Sequence, residues 1–396
     1  MSHAEALLDL LRGQPTLTLF LVLGFGYLIG RIRVGPLDVG AVAGTLLIAI
    51  VLGRLGFRIS PGAQAVGFAL FIFAVGYQAG PHFVSILRTH GLRYLTLSLS
   101  VAGIALVTGA VAAAMLALPR SGLAGLLSGS LTATPMLAAA QEAVRSGLSP
   151  VPPGETAEHM LTTIGVGYAI SYLLGTASML VLMRLLPRMA GLDLAEEARR
   201  IETPPTAPVP AEEDDPRAAQ TDMIGFTFGI ALGSILGLIT LDVAGISIGL
   251  GSAGGLLVAG MAVGWLSSRR PAVGRFPAAA RWILMELGLL IFICGVGLQA
   301  GSGIVEAFQA TGPGLLVAAV FVVLLPILVG YAIGRWLLRL PPVLLLGALA
   351  GAVTNGPSLG LLVRDARSSA PALGYAGTYA FSSVLFTLIG TLLMAL

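Results

Sequence analysis

The sequence predicts an all-α, polytopic membrane protein: two inverted repeats of about five transmembrane helices each, plus one re-entrant or broken helix per repeat. Three observations predict it. Of 396 residues, 56% are hydrophobic and only 10% charged, too little polar surface to coat a soluble globule of this size. The chain also matches itself three times, in one order. Finally, its arginines sort onto one side only if each repeat holds an odd number of spans.

The elements follow in chain order. Residues 1–15, MSHAEALLDLLRGQP, interleave charges with leucines and lack a small-residue cleavage site, so they read as a short surface helix and not as a removable signal. Apolar stretches near, or a little short of, the roughly 20 residues that cross a bilayer then recur: Leu17 to Gly30, Tyr94 to Leu118, Thr163 to Leu186, Gly314 to Gly334 and Leu373 to Leu396. In lipid each satisfies its backbone only as a helix. Between them, Gly191 to Thr221 is rich in Pro, Glu, Asp and Ala, with almost nothing to bury. It reads as a solvated, partly disordered linker between an N-terminal repeat (1–190) and a C-terminal repeat (222–396).

The self-matches define the repeat. VGAVAGTLLIAIVLGRL from Val39 pairs with LGSAGGLLVAGMAVGWL from Leu250, at an offset of 211. FIFAVGYQAG from Phe71 pairs with FICGVGLQAG from Phe292 at 221, and LSGSLTATP from Leu127 pairs with LAGAVTNGP from Leu349 at 222. If the last pair dips in and returns on one side, with the N-terminus outside, each half has five spans and the linker is cytoplasmic. Arg12, Arg54, Arg58, Arg120 and Arg145 then lie outside and the other 17 of the 22 arginines inside. An odd number of spans inverts the second copy.

Interrupted segments at matching places in inverted halves are the architecture of secondary transporters, whose site lies near the midplane where the repeats meet. In GSLTATP and GAVTNGP, a Pro preceded by Thr, Asn or Gly predicts a backbone break and a new half-helix beginning at Pro135 or Pro357. Such a start offers free N–H groups and a positive dipole end, an anion site. Candidate substrate-binding residues are therefore Ser130, Thr132, Thr134, Pro135, Thr354, Asn355, Gly356, Pro357 and Ser358, whose hydroxyl and amide groups bond a carboxylate or ammonium. Gln78 and Gln299, polar near span ends, are expected to line the same site; bonding to a neighbouring helix is the alternative. Gly76 with Gly80, and Gly297 with Gly301, have the spacing for close helix packing or a hinge. A packed Pro kink is the alternative at the breaks.

Charges inside spans are scarce. Glu142 and its counterpart Arg364 read as element ends, Glu286 as an interfacial ion pair with Arg281, Asp38 and Asp242 as residues flanking loops, and His82, His90 and His159 as loop histidines. Cys294 stands alone, so no disulfide or Cys-rich metal site is expected; no metal or cofactor is expected either. No HExxH, P-loop lysine or Gly-x-Ser-x-Gly is present, which argues against an enzyme. A formal charge of +3 gives no case for nucleic acid.

On GFALFIFAVGYQAGPHF, GLLSGSLTATPMLAAA, IFICGVGLQAG and GAVTNGPSLGLL, the sequence resembles the aspartate:alanine exchanger family of bacterial antiporters. The likeness covers nearly all of both hydrophobic blocks. It implies exchange of small carboxylates across the bacterial inner membrane, typically aspartate for alanine, with succinate carriers among the relatives. It also implies a homodimer with both termini periplasmic. Members commonly carry paired soluble regulatory domains in the central loop; Gly191 to Thr221 is too short for one. An elevator-like motion is expected, in which the decapeptide spans and broken helices move together against a scaffold of the remaining spans.

Overall fold

In the computed structural model, residues 12–34, 37–89, 91–201, 221–243, 246–249, 251–270, 274–311, 313–368 and 370–395 are described. Residues 1–11 of the expected N-terminal surface helix, His90 and most of the linker lie outside them. The first repeat comprises α1 (Pro15–Gly30), α2 (Ala41–Arg54), α3 (Pro61–Thr89), α4 (Gly91–Met115), α5 (Arg120–Ser130), α6 (Thr134–Arg145) and α7 (Ala157–Met189). After α8 (Leu194–Ile201), the second repeat comprises α9 (Met223–Leu238), α10 (Gly251–Arg269), α11 (Ala278–Gly301), α12 (Ile304–Thr311), α13 (Gly314–Ala332, extended by a π turn over Ile333–Leu337), α14 (Pro342–Ala352), α15 (Gly356–Ala366) and α16 (Ala370–Ala395). Among the described residues seven helices are long and apolar enough to span a bilayer, namely α3, α4, α7, α10, α11, α13 with its π turn, and α16. The other three expected spans, α1, α2 and α9, are shorter, at 14 to 16 residues.

Two departures from the expected all-helical course are small antiparallel ribbons at equivalent places. β1 (Arg33–Val34) pairs with β2 (Leu37–Asp38) between α1 and α2, and β3 (Thr240–Val243) pairs with β4 (Ile246–Gly249) between α9 and α10. Asp38 and Asp242, expected to flank loops, are strand residues of these ribbons. His82 falls inside α3, which runs on to Thr89, instead of in a loop. His159, exposed, occupies the first turn of α7, whose start is capped by Thr156.

The course of the chain establishes inversion. Gly125 and Gly129 of α5 press on Ile164 to Ser171 of α7, and Ser130 meets Gly175, so the two helices run parallel. The loop after α6, at Ser149 to Glu155, lies beside Pro119 to Ser121 at the start of α5. Hence α5 and α6 form a re-entrant hairpin, both arms opening on one face. In the second repeat Gly347 meets Pro371, and Gly351 meets Tyr375 and Thr378, so α14 runs parallel to α16 and a second hairpin opens with it. The end of α16 at Met394 meets the start of α7 at Met160, while Asp365, just before α16, sits by the end of α7 at Met183 to Arg188. Equivalent helices α7 and α16 are therefore antiparallel. The hairpins enter from opposite faces: hairpin 1 from the face holding Pro15 and Ala395 (the terminal face), hairpin 2 from the face holding α8 (the linker face).

Small residues interleave the repeats. Added side-chain carbons at Gly76 and Gly80 of α3 would collide with the Leu257 and Met261 carbonyls of α10, and at Gly297 and Gly301 of α11 with Ala49 and the Ile50 carbonyl of α2. Each decapeptide helix thus beds on a helix of the other repeat. This differs from the expected grouping of decapeptide helices with broken ones: the hairpins pack chiefly on α7 and α16, with α4 and α13 behind them in one core running from Leu97 to Phe386. The linker expectation also needs correction. Residues 194–201 form α8, capped by Asp193, with Leu194 and Ala198 buried against the hairpin 2 core.

Candidate functional site at the hairpin tips

Each hairpin turns by the same device. Thr132 and Thr354 both adopt a left-handed backbone, with φ of 52° each. At each tip two bonds close the preceding helix: Thr132 N–H donates to Gly129 O (2.9 Å) and Ala133 N–H to Ser128 O (2.8 Å), as Thr354 N–H does to Gly351 O (3.0 Å) and Asn355 N–H to Ala350 O (2.9 Å). This is the Schellman closure, in which glycine is the usual left-handed residue. A β-branched residue there is a genuine outlier. The return helices start at Thr134 and Gly356, one residue earlier than expected, with the prolines second.

The two tips are bonded to each other. Thr132 Oγ1 donates to Val353 O (3.0 Å), Thr354 Oγ1 donates to Thr132 O (3.2 Å), and Asn355 Nδ2 donates to Thr132 Oγ1 (3.3 Å). Residues some 222 positions apart thereby meet where the two oppositely entering hairpins end. The threonine hydroxyls span the junction itself, so no gap separates them in this structure.

The other predicted residues divide by exposure. Ser130, Thr134 and Pro135 are buried; the Ser130 hydroxyl has no partner among the described residues, and Thr134 Oγ1 lies 3.5 Å from the Tyr168 hydroxyl. On the other tip Asn355 caps α15 by accepting from Ser358 N–H (2.9 Å), and the buried Ser358 hydroxyl is unpartnered among the described residues. Gly356 and Pro357 are exposed, and nothing lies within 4 Å of where side chains at Gly356 or Gly360 would begin. The matching face of α6 is packed: Ala138 is fully buried, and Glu142 accepts a hydrogen bond from Ser252 near the start of α10. Hairpin 1 is sealed while the first turn of hairpin 2's return helix is open.

Gln78 and Gln299 are both half-buried and are not joined to the tips. Gln299, with an unpartnered Oε1, lines a cavity on the terminal face from which the tip residues are missing. Gln78 ends up near α10, two residues from Gly80. Glu286 has no ion pair with Arg281 among the described residues and lies close enough to Tyr172 of α7 to act on it electrostatically.

Several contributors escape sequence reading. Tyr77 departs from Leu298 in the repeat because its hydroxyl bonds Ser267 Oγ and Gly274 O, each at 3.0 Å, on the linker face. Tyr168 and Tyr172 pair at 5.2 Å between ring centres, and so do Tyr375 and Tyr379. YAISY and YAGTY are a fourth repeat match, at an offset of 207, legible in the sequence.

Known families supply an independent comparison. The family described as Predicted Permease Membrane Region, Asp-Al_Ex, matches residues 18–188 and, separately, residues 225–395. The two matches coincide with the two inverted repeats and leave out α8 and the linker. A multi-pass membrane protein whose paired hairpins meet centrally has a transporter's organisation, and the chain belongs to the Asp-Al_Ex permease family.

Proposed function

We propose that this protein is a secondary antiporter for small carboxylates, exchanging aspartate for alanine across the bacterial inner membrane, with both termini periplasmic. The observation that carries the reading is the junction of two hairpins from opposite faces, one sealed and one open at its return helix. A carboxylate arriving from the linker face meets Gly356, whose N–H has no partner among the described residues at the positive end of α15, and then Thr354 and the Ser358 hydroxyl. Its arrival competes with Asn355 for the first-turn donors and loosens the inter-hairpin bonds. Sealing hairpin 2 while opening hairpin 1 would present the same residues to the terminal face.

The two packing groups support an elevator-like division. The hairpins with α4, α7, α13 and α16 form the moving body, and the interleaved helices α1, α2, α3, α9, α10 and α11 form the scaffold, through which we infer a homodimer. Exposed apolar residues on α9, including Ile224, Phe228 and Ile235, suit contact with lipid or a second copy.

Proteoliposomes test the exchange. Vesicles loaded with alanine should take up external aspartate at least about tenfold faster than empty ones. Equal rates with and without internal alanine rule out obligatory exchange. Stimulation by internal succinate alone would move the assignment to dicarboxylates, and dependence on a sodium gradient to symport.

A further inference from the structure

A cavity of about 680 Å³ opens on the terminal face between the ends of α2 and α11 and the starts of α3 and α7. This lies within the size range of small-ligand pockets. Its wall includes Gln64, which is 3% exposed and whose Nε2 has no hydrogen-bond partner among the described residues. Leaving an amide dry and unpaired costs on the order of 1–3 kcal/mol, so the position calls for an explanation. The surroundings are shaped to accept it. A side-chain carbon at Gly295 would collide with the Gln64 amide.

The duplicated sequence sharpens the point. In the first decapeptide Ala74 occupies the place of Gly295, and in the second repeat Met285 occupies the place of Gln64. Both departures from the repeat fall on one contact, so the seat for this amide exists on the terminal face and has no copy on the other. Gln299 lines the same cavity with an unpartnered Oε1. Two residues with an unused amide atom, a donor on Gln64 and an acceptor on Gln299, therefore stand in the wall of one cavity, each of those atoms closed to solvent in this structure. Its rim has the same duality: exposed Arg54 and Arg58, and exposed Glu158 and Glu306.

We infer that this cavity is a second binding site, separate from the hairpin tips, for a zwitterionic α-amino acid. With the two amides turned into the cavity, its carboxylate takes the Gln64 N–H and the guanidinium side of the rim, and its ammonium takes Gln299 Oε1 and the carboxylate side. A dicarboxylate matches only half of this set, because it brings no donor to Gln299 and no cation to Glu158 or Glu306. The inference goes beyond the antiporter reading and does not require it: the site binds whether or not the tips carry substrate.

The test measures equilibrium binding of radiolabelled L-alanine and L-aspartate to the purified full chain in lipid nanodiscs, beside propionate and succinate, the same skeletons without the amine. It is run in the wild type and in a Thr132→Val, Thr354→Val background that removes the tip hydroxyls. In that background the amino acids should still bind, and the deaminated analogues about tenfold more weakly, as expected for losing a charged hydrogen bond. Gln64→Leu and Gly295→Ala should each weaken amino-acid binding by about tenfold or more. Gly295→Ala installs the residue that the first decapeptide already carries, and an unchanged melting temperature and monodisperse elution would verify its fold; Gln299→Leu is the independent second probe. Undiminished binding in Gln64→Leu and Gln299→Leu, equal affinity for the deaminated analogues, or no saturable binding in the tip-variant background overturns the site. Those results leave the antiporter reading standing. Binding without counterflow in vesicles would do the reverse.

Discussion

At the scale of the residue, the left-handed threonines are the most informative feature. A non-glycine residue in this conformation costs about 1–2 kcal/mol, and at Thr132 and Thr354 it directs each hydroxyl across the junction. Thr354→Val should therefore lose the bond to Thr132 O, costing about 1 kcal/mol of stability, and should lower counterflow at least about tenfold, whereas Thr354→Ser should restore much of both. Melting curves and vesicle uptake check this; a Val variant with full exchange would remove the hydroxyl from the mechanism. The sequence made the two threonines visible as a repeated pair but not their backbone, since β-branching argues against positive φ. The replacement of Leu298 by Tyr77 at the paired site shows in the sequence, but the roles of Gln64 and Tyr77 do not, because they depend on partners roughly 190 to 230 positions away. Asp222 is a smaller case. It caps α9 through Gly225 N–H (3.0 Å) and holds Gly274 N–H (2.7 Å), and these donors, Gly225 first, keep its carboxyl below the usual range. Because the folded pKa is lowered, its contribution is complete above the unfolded value of about 3.9 and disappears as pH falls through the folded value. Asp222→Ala should cost about 1 kcal/mol near neutral pH and nothing well below both values, read from melting temperature against pH.

At the scale of the element, hydrophobic runs disclosed the long helices, and paired motifs disclosed the hairpins. What failed was length. The eight residues of α8 sit in a Pro-rich, acidic context that swamps their own pattern, although Leu194 and Ala198 are one helical turn apart and face the core together. Ala198→Asp places a carboxylate in that buried contact and should release α8 from hairpin 2, costing about 2 kcal/mol or more. Faster proteolysis between α7 and α9 would report it; an unaltered cleavage rate would show that α8 is not held there. The Gly-x-x-x-Gly spacing likewise announced close packing without naming the partner. Gly76→Val and Gly301→Val each drive carbons into a neighbouring backbone and should cost about 1–3 kcal/mol, more than Val at exposed Gly360, where no atom stands in the way.

At the scale of the whole molecule, the arginine distribution gave the inverted topology because it depends only on counting faces, while the difference between the two halves depends on packing and lay beyond sequence reading. Hairpin 1 is enclosed and hairpin 2 exposes Gly356, Pro357, Gly360 and Arg364. In a background where the buried Cys294 is replaced by Ser, a membrane-impermeant maleimide should label Gly360→Cys from the linker face and leave the equivalent Ala138→Cys untouched. Labelling of both at similar rates would contradict the asymmetry. The interleaving of repeats also bears on how the protein is made. When the first half has left the ribosome, the glycine stripe of α3 still awaits α10, and α2 still awaits α11. Neither half possesses its own finished interior, so synthesis must hold a five-span intermediate in the bilayer with its seams unclosed.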